Sequence, residues 1–500
     1  MKPFLILAAF AIVVLGLDIS ARVDLSNSTG SPKHLASGFI YGLPDAPSQI
    51  PDRFYTDIDF GYGRAGGARL DAPARGWIWG IEEHRGRLAS TLLNYNTCRK
   101  YNASFILLLH DIWVTDHANS STVWPGDGGD LSDYDRFVTQ LLADMDANNA
   151  LDSVVSDIWN EPDLTFSGNV RRPSGLSFTC ARTDSFGKSP LTPIPPLGPF
   201  YASDVVKIWS KRRAGHRINH CWYRKTQLIG SQSLRADASY PSILISGPTL
   251  TNLPMANNTW WTSWLEAVSG NNTVPDQYVY HLEGGVHEPG NDLVYANQSL
   301  AALLAQYGLP DRPSNINEYA TSAEQRPAGA AWWISRLERY NAIGLRRNWL
   351  GDTELHDLMA NLLTKFDDPA NYTATDYAPA AEFQVYKYYA TNMTGNRLAT
   401  QGSSDALFDV YATVDSGAGT TRVLAGSRVA YRSWNITITG LPGSRTSLNV
   451  RQMAFPGTSQ WSIMEAPLDL GDIEVSVSDG RTNLPVHTDN TTAWVFDFSV

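Results

Sequence analysis

Between about residues 37 and 390, short apolar runs alternate with amphipathic stretches, the texture of repeated βα units around a parallel sheet. The run Phe105-Ile106-Leu107-Leu108-Leu109 is apolar on both faces, as a strand covered on two sides must be. Comparable runs place strands at 36–41, 62–64, 105–110, 154–160, 243–247, 278–281, 314–318 and 344–349. Helical spacing lies between them, for example over 134–147, 297–307 and 329–342. Eight such units predict a (β/α)8 TIM barrel over residues 30–390, its chemistry at the C-terminal ends of the strands. The segment 163–200 is rich in Pro, Gly, Ser and Thr without periodicity, and it follows the fourth strand, so it is expected over the barrel mouth.

Past residue 391 the helical period fades. Short β-rich runs at 407–414, 422–425, 433–439, 472–477 and 493–498 are punctuated by turn residues, which predicts a C-terminal β-sandwich over 391–500. At the other end, Lys2 precedes an apolar run from Phe4 to Leu17 that is too short to span a bilayer. It reads as a cleaved signal peptide over 1–21, hence a secreted, extracellular protein with no membrane anchor. Asn-x-Ser/Thr sequons at Asn27, Asn102, Asn119, Asn257, Asn271, Asn297, Asn371, Asn392, Asn435 and Asn490 fit passage through a glycosylating secretory route. Three cysteines allow one intramolecular bridge, expected between Cys180 and Cys221 across the long insert, with Cys98 left buried and inert.

Composition narrows the partner. The net charge of −11 and the lack of a basic stripe exclude nucleic acid as an expected ligand. The 16 Trp and 22 Tyr suit a carbohydrate surface, although a large core buries such residues in any case. The Gly-rich stretch 61–67 lacks the Gly-Lys-Ser/Thr ending of a phosphate loop, and no Gly-x-Ser-x-Gly elbow is present. No His/Cys cluster has zinc spacing, so neither a metal nor another cofactor is expected.

The polar residues that close the apolar runs form a coherent set: Arg64 after the second, His110-Asp111 after the third, Asn160-Glu161-Pro162 after the fourth, Tyr280-His281 on the sixth, Asn317-Glu318-Tyr319 on the seventh and Trp349 after the eighth. Carboxylates from strands four and seven face each other across a barrel mouth. Glycoside hydrolysis needs such a pair, one to protonate the departing oxygen and one to attack or stabilise an oxocarbenium-like centre. Asn160 can hydrogen-bond a sugar 2-hydroxyl, and Arg64 can hold Glu318 ionised or serve only as a structural counterion. His110 is a sugar ligand or a core hydrogen-bonding residue, and Trp349 a stacking platform or barrel packing; both pairs of readings stay open. Trp113, Asp116 and Trp124 lie on the loop after strand three, where subsite and solvent-loop duty are both open. Glu283 and Glu288 are rival carboxylates, set aside because both belong to a Gly-rich loop.

The paired Asn160-Glu161-Pro162 and Glu318 motifs resemble the signature of the clan A retaining glycoside hydrolases. The barrel-then-sandwich order, His281 at strand six and the stretch Phe383-Gln384-Val385-Tyr386-Lys387-Tyr388-Tyr389 resemble glycoside hydrolase family 39 in particular. That resemblance implies Glu161 as acid/base, Glu318 as nucleophile, Asn160 and His281 as substrate-binding residues, and exo action of the β-xylosidase or arabinofuranosidase kind. An endo-glycanase on the same barrel and a catalytically silent carbohydrate-binding protein are the alternatives.

Overall fold

The computed structural model describes residues 20–500 apart from 47, 69, 115–121, 123, 126–129, 166–241 and 288–289. The leader up to residue 19, Asp116, Asn119, Glu288, most of the long insert and the Cys180–Cys221 pairing lie outside the described residues.

The chain begins with strand β1 (Ser20–Gly30). A closed barrel follows, built of β2 (Gly38–Ile40), β3 (Tyr62–Ala65), β4 (Ser104–Leu108), β5 (Val154–Asp157), β6 (Leu244–Leu250), β7 (Gln277–Leu282), β8 (Ser314–Tyr319) and β9 (Ile343–Arg346). Neighbouring strands are parallel throughout, and β9 closes on β2 through Gly38 and Phe39. All eight predicted strands are present, shifted by a few residues at their ends.

Strand alternation sorts the side chains into layers. Ile106, Val155 and Leu345, with Tyr62 and Ile343 against them, form a small apolar plug separate from the main core. One turn of the pleat further on, the same faces of β3 and β5 carry Arg64 and Asp157, and Arg347 follows directly after β9. The interior thus changes from apolar to charged towards the C-terminal ends. The outward faces pack on the helices: Trp264 meets Tyr278, and Trp261 meets Tyr280, edge to face at 6.2 and 6.0 Å.

A two-stranded ribbon, β10 (Leu363–Lys365) with β11 (Tyr377–Pro379), leads to a nine-stranded sheet. Its C-terminal strands are β12 (Asn396–Gln401), β13 (Phe408–Asp415), β14 (Thr420–Ser427), β15 (Tyr431–Thr439), β16 (Ser447–Phe455), β17 (Leu468–Ser476), β18 (Arg481–Asp489) and β19 (Ala493–Phe498), in the order β17-β16-β19-β14-β13-β12-β1-β15-β18. Val450 from one end of the sheet and Leu484 and Val486 from the other share one apolar core with Phe408, Trp434 and Phe496. The sheet therefore folds over on itself as the predicted sandwich.

The sequence reading left β1 outside this unit, between leader and barrel. In the structure β1 pairs antiparallel with β12 and parallel with β15, and Ala21 and Val23 are buried while Arg22 faces solvent. Two small apolar residues next to a leader gave too brief an alternation to signal a strand.

The barrel helix Pro327–Tyr340 lies on β13 and β14. A Cβ at Gly426 would stand 2.1 Å from the Ala328 carbonyl oxygen, so only glycine permits this approach. Buried Asp409 pairs with Arg336 and Arg339, and Arg336 also donates to Asp292 at 3.0 Å, which ties barrel to sheet through charge. Cys98 is buried, and burial pushes its thiol up, as an inert thiol requires. Eight of the nine described sequon asparagines are exposed, and Asn490 is half-buried. Among the described residues no helix is long and apolar enough to cross a membrane.

Candidate active site

Three of the strand tops leave the barrel through left-handed backbone: Tyr41 (φ 56°) after β2, Glu161 (φ 44°) after β5 and Ala320 (φ 74°) after β8. Such conformations cost energy in residues with a Cβ and persist where the surrounding structure enforces them. At Glu161 the constraint is visible: its backbone N–H donates to the Thr249 carbonyl on β6 at 3.1 Å.

Glu318 reaches the interior by a different route. Between β7 and β8, Val279 pairs with Asn315 but His281 pairs with Glu318, so β8 carries one extra residue over that interval. The bulge lets Asn317 and Glu318 both serve the interior, while Tyr319 turns outward to share a hydrogen bond with Tyr386 at 2.7 Å.

Arg64 is the floor of the site and is fully buried. Its guanidinium donates to Asp157 at 2.9 Å, to Glu318 Oε1 at 2.7 Å and to the Asn160 side-chain oxygen at 2.6 Å. Asp157 also accepts from Thr249 at 2.8 Å and Asn317 at 3.0 Å. The bond from Arg64 occupies the oxygen of Asn160 and leaves its NH2 as the end that can donate to a ligand. Arg64 is thus a counterion beneath the carboxylates rather than a residue a substrate could touch.

His281 bridges the predicted pair, with Nδ1 3.0 Å from Glu161 Oε1 and Nε2 3.7 Å from Glu318 Oε1. Burial opposes a charged imidazole, but Glu318, Glu161 and Glu283 outweigh it and raise the ring to about 9. Burial likewise opposes ionised Glu318, yet His281, Arg64 and Arg347 hold its carboxyl down to about 2. Nearest polar atoms of Glu161, His281, Glu283 and Glu318 all lie within 4.8 Å of one another. The sequence places Glu161 and Glu318 far apart; the fold brings them to one point.

Two residues of this cluster escaped the sequence reading. Glu283 is not merely a loop carboxylate: it continues the inward face of Val279 and His281, a period-two signal legible in the sequence. Arg347 likewise continues Ile343 and Leu345. Arg347 Nη1 pairs closely with Glu283 and stands 3.1 Å from Glu318 and 3.6 Å from Glu161, and the guanidinium lies over the Trp349 ring at 4.1 Å. Trp349 keeps 40% of its surface exposed and donates its indole N–H to Ala320 at 3.0 Å.

Tyr280 does not stand where a substrate-binding residue should. Alternation puts it opposite His281, on the outer face against Trp261, so it takes no part in the cleft. His110 is packed edge-on against Trp159 at 4.6 Å and parallel to Trp124 at 6.1 Å. Trp113 is buried against Tyr134 and Phe137 and belongs to the core. Three carboxylates and a histidine also have the composition of a metal site. Here, however, guanidinium groups are bonded to two of the three carboxylates and the imidazole carries a proton, so the donor set is that of an ion-pair network.

No protein-family model matches the chain, and no curated protein matches it in sequence. Solved structures do match in fold. They include N2152 from Neocallimastix frontalis, 18% identical, covering 97% of this chain and 100% of that one with a TM-score of 0.67. The glucosidase from Croceicoccus marinus is 13% identical over 97% of this chain and 99% of its own, with a TM-score of 0.56. The GH39 enzyme from Xanthomonas axonopodis pv. citri is 12% identical over 98% of this chain and 100% of its own, with a TM-score of 0.53. The chain therefore shares its whole barrel-and-sheet architecture with glycoside hydrolase structures, at identities that establish the fold.

Proposed function

We propose that this chain is a secreted retaining glycoside hydrolase, with Glu318 as nucleophile and Glu161 as acid/base. The observation that carries the reading is that one oxygen of each of these two carboxylates lies within 4.8 Å of the other. Retention by double displacement uses a carboxyl separation of about 5–5.5 Å, whereas inversion needs about 6.5–9.5 Å to admit a water.

The electrostatics support the same division of labour. A nucleophile must be ionised, and Glu318, bonded to Arg64 and Arg347, is held so down to about pH 2. Among the described residues Arg347 stands 3.6 Å from Glu161, farther than it stands from Glu318, and His281 lies 3.0 Å from it. In the first step Glu161 gives its proton to the departing glycosidic oxygen while a Glu318 oxygen bonds to the anomeric carbon. In the second step Glu161 takes a proton from water, whose oxygen displaces Glu318 from that carbon. Asn160 supplies an N–H to the sugar beside Glu161, and Trp349 an exposed ring for stacking. The names of the fold relatives, a glucosidase among them, support a carbohydrate substrate. The family 39 resemblance favours exo action on a terminal sugar, with release of monomer from the start of digestion. Secretion rests on the apolar leader; burial of Ala21 in the sheet argues that the leader ends before Ser20.

A panel of aryl glycosides, with NMR of the first-formed anomer, tests this reading. Retention of configuration is expected. First-formed product of inverted configuration, or glycan binding without turnover across the panel, would remove it.

A further inference from the structure

The double displacement uses nothing from the C-terminal sheet, yet one arginine of that sheet reaches the loops that edge the cleft. Arg428 directly follows β14, and its backbone N–H donates to the Leu407 carbonyl at 2.8 Å, which fixes it to the sheet. Its side chain leaves the sheet and is almost wholly buried. The guanidinium lies over the buried rings of Trp332 and Trp333 at 4.6 and 5.4 Å. Nε pairs with the buried carboxylate of Glu324, after β8. Nη1 donates at 2.6 Å to the carbonyl of Asn291, at the end of the loop after β7.

Each partner passes the constraint on to the cleft. Glu324 Oε2 accepts from the Thr321 N–H at 2.7 Å and from its hydroxyl at 3.1 Å, which closes the turn that begins at left-handed Ala320. Two bonds run from that turn to the residues after β9. The Ala320 carbonyl accepts the Trp349 indole N–H at 3.0 Å, and the Gln325 side chain donates to the Arg347 carbonyl at 2.6 Å. On the β7 side, with its amide oriented so that both ends are satisfied, Asn291 accepts from the N–H groups of Gly284 and Gly285 at 2.7 and 2.8 Å. A Cβ at Gly285 would stand 3.1 Å from the Thr321 methyl group, so the two loops also pack on each other.

Adhesion between sheet and barrel does not call for this device, because apolar residues in place of a buried ion pair hold two surfaces as well or better. A planar guanidinium with donors aimed at two separate loops fixes geometry instead. Resting on the glycosidase reading above, we propose that Arg428 is a positioning residue: it fixes the loops after β7 and β8 and, through the Ala320 turn, the Trp349 ring on which the sugar stacks. The C-terminal sheet thereby takes part in substrate binding without touching the substrate.

Arg428→Met removes the donors and keeps an apolar stem against the two tryptophans. KM for aryl glycosides should rise about two- to tenfold, the worth of one misplaced aromatic contact, with a smaller change in kcat, the mark of lost binding common to ground and transition states. An unmoved KM overturns the proposal. In a Trp349→Ala background Arg428→Met should add nothing further to KM, and independent, multiplying effects would break the link between the two residues. Arg339→Met, which cuts the pair with Asp409 and touches neither loop, should lower the unfolding midpoint and leave KM alone. An equal rise in KM there would reduce Arg428 to domain adhesion. Arg428→Lys keeps a charge beside Glu324 and replaces Arg428→Met if that variant does not fold; with one nitrogen for two loops, it too should raise KM, and an unmoved KM counts equally against the proposal.

Fluorine NMR of protein labelled with 5-fluorotryptophan gives a reading that needs no turnover. The resonance assigned by Trp349→Phe should shift in Arg428→Lys and stay in place in Arg339→Met, and a resonance unmoved in Arg428→Lys overturns the positioning. If the wild type turns over no glycoside, the glycosidase reading fails and takes the sugar-binding role with it, whatever the fluorine signal does. If the wild type is active while KM and the Trp349 signal ignore Arg428, only the present inference fails.

Discussion

Arg64 Nη1 lies 2.7 Å from Glu318 Oε1, and both side chains are almost wholly excluded from water. A buried carboxylate without a partner is costly, so this contact, together with those of His281 and Arg347, lets Glu318 exist as an anion inside the barrel. The same guanidinium reaches Asp157 and Asn160, which makes one residue of β3 the anchor for groups from β5 and β8.

Removing that anchor takes from buried Asp157 its guanidinium partner and from Glu318 one of its three cations. Arg64→Met is expected to cost about 3–5 kcal/mol of folding stability, the range for breaking a buried ion pair by deleting one partner. Denaturant titration measures it, and a loss below about 1 kcal/mol, as for an exposed pair, would show that the contact is dispensable.

The two glutamates should fail in different ways. Glu161→Gln is expected to lower turnover of glycosides with poor leaving groups by about 10²–10⁴-fold, the usual worth of a general acid, while sparing activated substrates in the first step. Glu318→Gly should fall to background on every substrate. Azide, small enough to enter the vacated space, should restore part of the Glu318→Gly activity and yield a glycosyl azide of inverted configuration. Full activity in either variant removes that residue from the mechanism.

Stability should vary with pH in a direction set by three groups. Glu318 is held at about 2 against an ordinary 4.5, so its contribution is present above 4.5 and is lost as pH falls towards 2. Glu283 is raised from 4.5 to about 7, so its contribution is full below 4.5 and lost as pH rises through 7. His281 is raised from 6.5 to about 9, so its contribution is full below 6.5 and lost through 9. The cluster is therefore most stabilising near pH 4.5. Thermal unfolding of wild type and His281→Gln between pH 5 and 9 isolates one term: the difference between them should shrink as pH rises from 6.5 to 9, and a constant difference would contradict the assigned imidazolium.

Where the barrel meets the sheet, Gly426→Ala forces a methyl group against the Ala328 carbonyl. Overpacking of this kind costs about 1–3 kcal/mol. Because the contact is with backbone, the helix at Pro327 must shift, and the midpoint of thermal unfolding should drop. An unchanged midpoint would mean that the two units are less tightly joined than Gly426 implies.

Much of the barrel was legible because its strands are apolar on both faces and end in polar residues. Val154-Val155 leading to Asn160-Glu161, and Ile316 leading to Glu318, announce both strand and site. Glu283 and Arg347 were equally regular in spacing, two residues beyond His281 and Leu345, yet glycine neighbours in one case and a doubled arginine in the other obscured them. Tyr280 was misplaced for the opposite reason: adjacency to His281 in sequence means opposite faces in a strand.

What the sequence by itself determined is the set of elements and the residues at their ends, because period and composition act locally. Which of those residues meet was decided only by closure of the barrel, the bulge before Glu318 and the left-handed turn at Glu161, since each depends on hydrogen bonds to strands distant in the chain. The charge state of the cluster belongs to the tertiary structure as well: burial raises the cost of every ion, and only the arrangement of Arg64, His281 and Arg347 determines which carboxylates can bear it.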